Sequence, residues 1–335
     1  MGSRARRRRV GRFSEREHRF PARLGLYTLV FRSPEGTGTI DAQTRQGDPL
    51  DLSIVGAGRV GTGLAVLLQR AGHRIAAASG RDATGARVER YLPGVPFVAD
   101  ADAARAGDVA ILSVPDDRIE SLCRELVGAG ALLPGQLVVH LSGATSLGAL
   151  EAARHAGGTV LSLHPLQTVP SVDAAIERLP GCAMAVTAHD EEGFALGERL
   201  ATDAGGRPFR LPDDRKPLYH AAAVFCSNYL VTVEGLAERL FRAAGLDDPV
   251  DLFAPLARAT LDHVLEDGPA AALTGPAARG DAGTVRRNLE ALEAHAPDTV
   301  PAYVALARVA VSLAEESGQL DAEGRARVEE VLEWR

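Results

Sequence analysis

A glycine-rich turn between a short apolar run and a helical pattern constrains this chain more than any other feature. Residues 52–55 form a short run that is apolar apart from Ser53; Gly56, Gly58 and Gly61 follow with the spacing GxGxxG, and a helical pattern extends over residues 60–70. The first glycine permits a tight turn, the second lets the backbone approach a pyrophosphate, and the third lets the helix pack close to the strand. The helix N-terminus then offers unpaired N–H groups and a positive dipole end to phosphates. The pattern predicts a dinucleotide-binding unit; the alternative is a glycine-rich turn that binds nothing.

Apolar runs and helical patterns alternate along the first two thirds of the chain. The strand-like runs cover residues 52–55, 73–79, 109–114, 137–141 and 159–163, with one more at 183–187. The run at 109–114 is continuous and apolar, as in a strand buried on both faces of a sheet. Helical patterns at 119–128 and 147–156 lie between the strand-like runs. This alternation predicts right-handed βαβ units that form a parallel sheet.

Strand patterns end near residue 213, and only helical periods follow. They cover residues 217–244, 250–265, 284–295, 301–317 and 321–332. The helical spacing of their apolar residues predicts an all-helical region. We therefore predict an α/β protein in which a Rossmann-like parallel-sheet domain, residues 51–212, precedes a helical substrate domain, residues 213–335.

The first 50 residues differ from the rest of the chain. They include four consecutive arginines at residues 6–9, and their apolar patch at 24–31 is too short to span a membrane. We expect a disordered extension or one added by an upstream start codon. An organelle transit peptide is the less favoured alternative.

Composition excludes several classes of function. The 335-residue chain has a net charge of −7 and only 4% aromatic residues, which argues against nucleic-acid binding. No apolar run reaches the roughly 18 residues of a membrane span. The three cysteines form no CxxC pair, so we expect reduced thiols in a cytoplasmic protein, and no metal site.

The second predicted strand indicates which dinucleotide binds. NAD sites place an acidic residue at the end of this strand for the ribose 2′-hydroxyl. Here Ser79 and Arg81 occupy that segment, and the first acid is Asp82. A hydroxyl and a guanidinium would bind a 2′-phosphate that a carboxylate would repel. They favour NADP over NAD, with Arg59 as a further candidate; the alternative is an ordinary solvated turn.

A loop after the third predicted strand completes the expected cofactor site. Val114 and Pro115 follow that strand at a carboxyl end of the sheet, where ligands bind in this class of fold. The predicted cofactor-binding residues are Gly56, Ala57, Gly58, Arg59, Val60, Gly61, Ser79, Arg81, Val114 and Pro115.

Lys216 is the only lysine in the chain, which has 36 arginines. Its isolation indicates a role that arginine does not fill, that of a compact ammonium with a tunable pKa. His220 follows one helical turn later, and either side chain could hydrogen-bond or protonate a developing alkoxide. Asn228 could orient a substrate without adding charge. These three are the predicted catalytic residues; the alternatives are a lysine placed by chance and a structural histidine at a domain seam.

Four further residues are candidates for substrate binding. Ser142, Gly143 and His164 end predicted strands on the ligand side of the sheet, and Arg279 lies in a loop between helices. An arginine there could clamp a substrate carboxylate. A surface pair between Arg279 and Asp281 and a structural His164 remain the alternatives.

Residues 51 to about 330 resemble the proteins that join a Rossmann-like domain to a helical domain of unknown function, number 2520. The resemblance rests on the runs IVGAGRVG at 54–61, LSVPDD at 112–117, HLSGA at 140–144, LHPLQT at 163–168, KPLYHAAAVFCSN at 216–228 and LTGPAARGD at 273–281.

More distantly, the layout is similar to ketopantoate reductase, β-hydroxyacid dehydrogenase and pyrroline-5-carboxylate reductase, and the helical part to the C-terminal domain of 6-phosphogluconate dehydrogenase. Those families place a lysine at the start of the helical domain, often with an asparagine one turn later. Lys216 matches the lysine, but His220 occupies the second position. The resemblance implies NADP-dependent reduction of a small carbonyl, such as the 2-oxo acid ketopantoate, or of an imine. It also implies a homodimer through the helical domain.

Two other functions remain open from the sequence. A dinucleotide-binding sensor or scaffold would bind the cofactor without chemistry. A prephenate- or arogenate-dehydrogenase-like enzyme is suggested by the His164–Pro165 pair beside a helical domain. In each enzymatic case the expected partner is a small molecule, with neither nucleic acid nor membrane involved.

Overall fold

A computed structural model describes residues 48–333, apart from the side chain of Asp82, and the backbone of residues 28–33 and 36–41. The backbone segments are strands β1 (Thr28–Ser33) and β2 (Gly36–Asp41), which pair antiparallel. The sequence did not predict this pair. The rest of the extension over residues 1–50, including the run of arginines, lies outside the described residues, and the expectation for it stays a prediction.

The chain divides into two compact units, with the boundary between His220 and Ala221. The sequence placed the boundary earlier, between residues 212 and 213. The difference has a physical cause, because the helix that starts at Lys216 holds its first residue against strand ends of the first unit. Lys216 and His220 therefore belong to the first unit.

The first unit contains a seven-stranded sheet in the order β4-β3-β5-β6-β7-β8-β9. Its strands are β3 (Asp51–Val55), β4 (Arg74–Ala78), β5 (Val109–Leu112), β6 (Leu137–His140), β7 (Thr159–Pro165), β8 (Ala183–Ala188) and β9 (Arg207–Arg210). Strands β3 to β7 pair in parallel, which confirms the predicted Rossmann-like sheet.

Strand β8 departs from that prediction because it runs antiparallel to β7. The chain between them holds a single short helix, Val172–Arg178. Seven helical residues span about 10 Å, whereas a seven-residue strand spans about 23 Å. The helix is too short to carry the chain back along β7, so β8 starts at the edge where β7 ends.

Helices cover both faces of the sheet. They are α1 (Arg59–Arg70), α2 (Asp82–Tyr91), α3 (Asp100–Arg105), α4 (Asp116–Gly128), α5 (Glu151–His155), α6 (Val172–Arg178) and α7 (Glu191–Asp203). In β5, Val109 and Ile111 join one core cluster while Ala110 and Leu112 join the other. A strand buried on both faces has no polar side, which explains the continuous apolar runs in the sequence.

The second unit is helical, as predicted. Helix α8 (Lys216–Val224) leads into a π-helical turn (Phe225–Tyr229) and then into α9 (Leu230–Ala243), α10 (Pro249–Asp267), α11 (Pro269–Ala272), α12 (Ala282–His295), α13 (Val300–Glu316) and α14 (Ala322–Glu333). The single helix expected over residues 217–244 is thus interrupted by the π-helical turn. No helix in the described part of the chain has both the length and the apolarity to cross a bilayer.

The core of the second unit lies among its last helices. Val285 and Leu289 of α12, Val304 of α13 and Val328 of α14 are buried together. In contrast, α9 and α10 leave large apolar side chains in solvent, with Val231 72% exposed and Leu256 67% exposed. We call this surface of α9 and α10 the exposed apolar face.

Candidate functional site

The glycine-rich turn joins β3 to α1 at the carboxyl edge of the sheet. Gly56 has φ 81°, and a Cβ there would lie 2.5 Å from the Val114 side chain. A Cβ at Gly61 would lie 2.5 Å from the Ser113 hydroxyl, so the missing side chain lets α1 pack against the end of β5. The first and third glycines thus have the structural roles that the sequence predicted for them.

The middle glycine leaves the turn open. A Cβ at Gly58 would meet nothing closer than two main-chain oxygens at 3.8 Å. Gly58 is also the N-cap of α1 and has no side chain to cap it, and the first turn of α1 contains no acidic residue. The first N–H groups of α1 are therefore free of side-chain partners in the described structure. This arrangement fits a dinucleotide pyrophosphate, with Gly58, Arg59 and Val60 around it.

The end of β4 differs from the expectation for a 2′-phosphate site. Ser79 is fully buried, and its Oγ has no hydrogen-bond partner among the described residues. Its backbone N–H donates to Ile54 O, and its carbonyl accepts from Ala57 N at 2.7 Å. Arg81 is exposed and precedes α2. Arg81 is therefore placed to meet a solvent-borne anion, whereas the Ser79 hydroxyl faces the interior; the phosphate role of each stays a prediction.

Lys216 lies inside the protein at the ends of β6 and β7. Its side chain is fully buried, and Nζ donates to Ser142 O at 2.9 Å and to Ser162 Oγ at 2.7 Å. Burial lowers its pKa to about 8, although the nearby carboxylates of Asp213 and Asp116 raise it. The amine is thus enclosed by the protein, a property that the sequence alone did not indicate. At neutral pH it is a buried ammonium with two fixed acceptors.

His164 and Tyr219 form a hydrogen-bonded pair beside this lysine. The Tyr219 hydroxyl lies 2.9 Å from His164 Nδ1, and the two rings meet edge-to-face at 5.6 Å. Burial, together with the charge of Lys216, lowers the pKa of His164 to about 4. Burial raises the pKa of Tyr219 to about 12. At neutral pH the imidazole is uncharged and the phenol keeps its proton.

The tautomer of His164 follows from its partner. The Tyr219 hydroxyl has His164 Nδ1 as its one acceptor among the described residues. If Nδ1 carried the proton, the phenolic O–H would have no acceptor. We therefore assign Tyr219 as the donor, which leaves the proton of His164 on Nε2. His164 is partly exposed, so this N–H is available to a ligand.

The loop after β6 fixes the position of the His164 ring. A Cβ at Gly143 would lie 2.7 Å from His164 Cε1, so only glycine lets the ring lie against the loop. The Ser142 hydroxyl donates to Asp116 Oδ2 at 2.7 Å and accepts from Thr145 N at 2.9 Å. Ser142 therefore orders the loop through its hydroxyl and holds Lys216 through its carbonyl.

Two ring nitrogens in this region are buried without a partner among the described residues, Nε2 of His140 and Nδ1 of His220. His140 Nδ1 accepts from Ser142 N at 3.2 Å, and burial lowers the pKa of His140 to about 3, so this ring is neutral. The rings of His220 and His164 lie 6.4 Å apart. Unsatisfied buried nitrogens are uncommon and point to water or a ligand at this edge of the sheet.

The structure brings together the predicted residues Lys216, His220, Ser142, Gly143 and His164 within the first unit. The other two belong to the second unit. Asn228 is exposed within the π-helical turn, and its carbonyl accepts from Thr232 Oγ1 at 3.0 Å. Arg279 is exposed between α11 and α12. Catalytic and substrate roles for all of these stay predictions.

Sequence reasoning missed Tyr219 and Ser162. Tyr219 lies three residues after Lys216, a spacing that puts both on one side of a helix. Ser162 lies two residues before His164 in β7, so both project from the same face of the sheet. These two spacings were the available signals.

Comparisons of the sequence with known proteins agree with this architecture. The model of the Rossmann-like domain matches residues 35–165, and the model of the domain of unknown function DUF2520 matches residues 182–310. No curated protein matches the chain significantly.

Solved structures show a similar fold. A provisionally named NADP oxidoreductase of Bacteroides fragilis is 24% identical with a TM-score of 0.67, and covers 79% of this chain and 98% of its own. Protein TM1727 of Thermotoga maritima is 25% identical with a TM-score of 0.62 over the same shares. An imine reductase of Myxococcus stipitatus in complex with NADP⁺ is 20% identical with a TM-score of 0.53, over 80% of this chain and 94% of its own.

Proposed function

We propose that this chain, which belongs to the family that joins a Rossmann-like domain to the domain of unknown function DUF2520, is an NADP-dependent oxidoreductase acting on a small carbonyl or imine. The proposal rests on the groups that lie together at one edge of the sheet. This edge presents an open glycine turn at the end of β3, and a buried ammonium with a neutral histidine at the ends of β6 and β7.

The cofactor would supply a hydride to the substrate carbon, and the residues of this chain would prepare the site for that transfer. Gly58 and the first N–H groups of α1 would hold the pyrophosphate. As the hydride adds to a carbonyl, the π electrons move to oxygen, which becomes an alkoxide. The Lys216 charge and the His164 Nε2–H would stabilise that oxygen in a site of low dielectric, and a solvent proton would complete the alcohol.

Two proteins of similar fold have names that belong to this class of reaction. The names of the Bacteroides fragilis and Myxococcus stipitatus proteins include NADP oxidoreductase and imine reductase with NADP⁺. Their identities to this chain support the fold alone. The proposal therefore rests on the site, and a 2-oxo acid such as ketopantoate remains our favoured substrate.

A non-catalytic dinucleotide sensor is the second candidate, and one observation favours it. Both described hydrogen bonds of the Lys216 amine go to protein groups, and no part of its side chain reaches solvent. An amine held in this way could stabilise the fold without contacting a substrate.

We also propose that two copies pair through the exposed apolar face. Exposed apolar surfaces of this kind usually mark protein interaction sites. Closed two-fold pairing is the commonest way for a chain to cover such a surface.

The direct test is oxidation of NADPH, and of NADH in parallel, against a panel of 2-oxo acids including ketopantoate and of cyclic imines. Turnover with an oxo acid or an imine supports the proposal and identifies the class. Cofactor binding without turnover on any of them favours the sensor. NADP⁺-linked oxidation of an arogenate-type substrate would instead support the dehydrogenase alternative.

A further inference from the structure

A cavity of about 400 Å³ lies beside the glycine-rich turn of the first unit. Its walls come from the start of α1, the second half of α2 and the segment that leads into α6. The lining residues are Arg59, Ala86, Arg87, Arg90, Tyr91, Pro170, Ser171 and Val172. We call it the arginine cavity.

Three of the residues that line this cavity are arginines. Some arginines of the chain form ion pairs, such as Arg74 with Asp51 and Arg210 with Glu191. Within the described structure, Arg59, Arg87 and Arg90 have no such pair. Three guanidinium groups around one cavity leave a concentrated positive charge that an anion would neutralise.

A carboxylate at the rim does not supply that anion. Asp173 lies next to the lining segment, and it accepts a hydrogen bond from the Tyr91 hydroxyl at 2.9 Å. Asp173 is exposed, and its described partner is Tyr91 and not an arginine. None of the three guanidinium groups therefore has a described carboxylate partner, although Arg87 uses Nη1 for a main-chain carbonyl and Arg90 lies 5.0 Å from the centre of the Tyr91 ring.

The cavity is connected to the cofactor turn through two of its arginines. Arg59 is itself the first residue of α1, directly after Gly58. Arg87 Nη1 donates to Ala57 O, inside the turn, at 3.1 Å. An anion held between these side chains would lie next to the place where the turn would hold a pyrophosphate. Arginine forks match the geometry of phosphate oxygens, which makes a phosphate monoester the fitting chemical class.

We propose that the arginine cavity is a phosphomonoester site and that its occupant is the 2′-phosphate of the bound cofactor. This inference rests on the proposed function and makes it more specific. Arg87 and Arg90, on the second half of α2, determine the preference for NADP over NAD together with Arg59. The buried Ser79 hydroxyl then has no part in it.

The experiment compares the binding of 2′,5′-ADP, 5′-AMP and inorganic phosphate to the full chain by calorimetry. The variants are Arg90→Ala and Arg87→Ala, with Arg70→Ala as the matched control, because Arg70 is an exposed arginine at the other end of α1. A third variant, Arg87→Lys, keeps a positive charge at the cavity. It serves as the comparison if Arg87→Ala disturbs the turn by removing the contact with Ala57. We expect the two alanine variants to bind 2′,5′-ADP about 10- to 100-fold more weakly, with 5′-AMP binding and the control unchanged.

The possible failures are distinguishable. Unchanged 2′,5′-ADP affinity in Arg87→Ala and Arg90→Ala overturns the inference and leaves the proposed function standing. Equal losses for 2′,5′-ADP and 5′-AMP in Arg90→Ala also overturn it, because the effect would not concern the 2′-phosphate. Inorganic phosphate that binds without competing with 2′,5′-ADP would show a separate anion site and overturn the assignment of the occupant. If the wild-type chain binds neither nucleotide, the proposed function itself falls.

Discussion

The Tyr219 hydroxyl donates to His164 Nδ1 across 2.9 Å and so joins the first turn of α8 to the carboxyl end of β7. Tyr219→Phe removes this bond but keeps the aromatic ring. The His164 tautomer is then no longer fixed, and we expect kcat to fall about 10- to 100-fold with KM for the substrate little changed, by analogy with other groups that orient a functional histidine.

The matched control for Tyr219→Phe is Tyr303→Phe. Tyr303 also makes one described side-chain hydrogen bond, with Asn288 at 3.0 Å, but it lies in the second unit. Steady-state kinetics that give kcat and KM for both variants test this prediction. A proportional loss of activity and of folded protein in Tyr219→Phe would reduce the tyrosine to a structural role.

Gly143 permits the close approach of the His164 ring. A Cβ there would come within 2.7 Å of the ring, so Gly143→Ala should displace the imidazole. We expect a loss of turnover at least as large as that of Tyr219→Phe, with NADPH affinity retained. Gly128→Ala is the control, because a Cβ at that position meets nothing within 4 Å. Full activity in Gly143→Ala would argue against a role for His164 in the reaction.

We expect the buried ammonium of Lys216 to give activity and stability opposite dependences on pH. Its pKa is lowered from 10.5 to about 8, so the charge is lost as the pH rises through 8. We expect turnover to decrease above pH 8, and Lys216→Met to turn over slowly without that alkaline decrease. NADPH affinity, measured by fluorescence, serves as the control and should be similar in both proteins. A wild-type rate that stays constant from pH 7 to pH 9.5 would contradict a role for the charge.

The effect of Lys216 on stability follows from the same shift. The unfolded chain holds the lysine proton more tightly than the folded chain, so between about pH 8 and 10.5 the unfolded state binds more protons. The contribution of this lysine to the free energy of unfolding therefore increases as the pH rises through that interval. Denaturant titrations should therefore show the free energy of unfolding of wild type rising, relative to that of Lys216→Met, between about pH 8 and 10.5. A relative stability of wild type that stays constant or falls over that interval would contradict the assignment.

The sequence predicted most of the sheet because the strands buried on both faces are mostly apolar. It did not predict β9, whose residues Arg207–Arg210 alternate arginine with apolar residues at the edge of the sheet. It also missed α2, α3, α6 and α7, in which charged and alanine residues make up most of the sequence. Short edge elements carry too little apolar pattern to be recognised.

The candidate site was predicted less completely than the fold. The isolation of Lys216 and its position after a predicted junction identified the residue, but not its burial, because enclosure depends on Ser142 and Ser162 from two other strand ends. Ser79 was assigned by its position at the end of β4, yet alternate residues of a strand face opposite sides. Its hydroxyl faces inward, and one strand in isolation does not reveal which side is covered.

The exposed apolar face leads us to predict a homodimer in solution. Leu256→Glu places a charge on α10, where the leucine is 67% exposed in the single chain. If two copies pair there, the variant should shift to the monomer mass in light scattering while its helical circular dichroism is kept. Leu133→Glu in the first unit is the control, since Leu133 is also exposed but lies outside this face. A wild-type monomer at high concentration would contradict the homodimer.

Substitutions at two glycines of the same turn distinguish an effect on cofactor binding from an effect on stability. Gly58 has φ −70° and open space at its Cβ position, so Gly58→Ala should fold with an unchanged Tm. Its new methyl group would occupy the approach to the pyrophosphate, and we expect NADPH affinity to fall at least about 10-fold. Gly61→Ala instead forces a Cβ to 2.5 Å from the Ser113 hydroxyl and should destabilise the chain by about 1–3 kcal/mol. Thermal melts and NADPH titrations on both variants test this, and a Gly58→Ala protein that binds NADPH like the wild type would remove the basis for a dinucleotide at this turn.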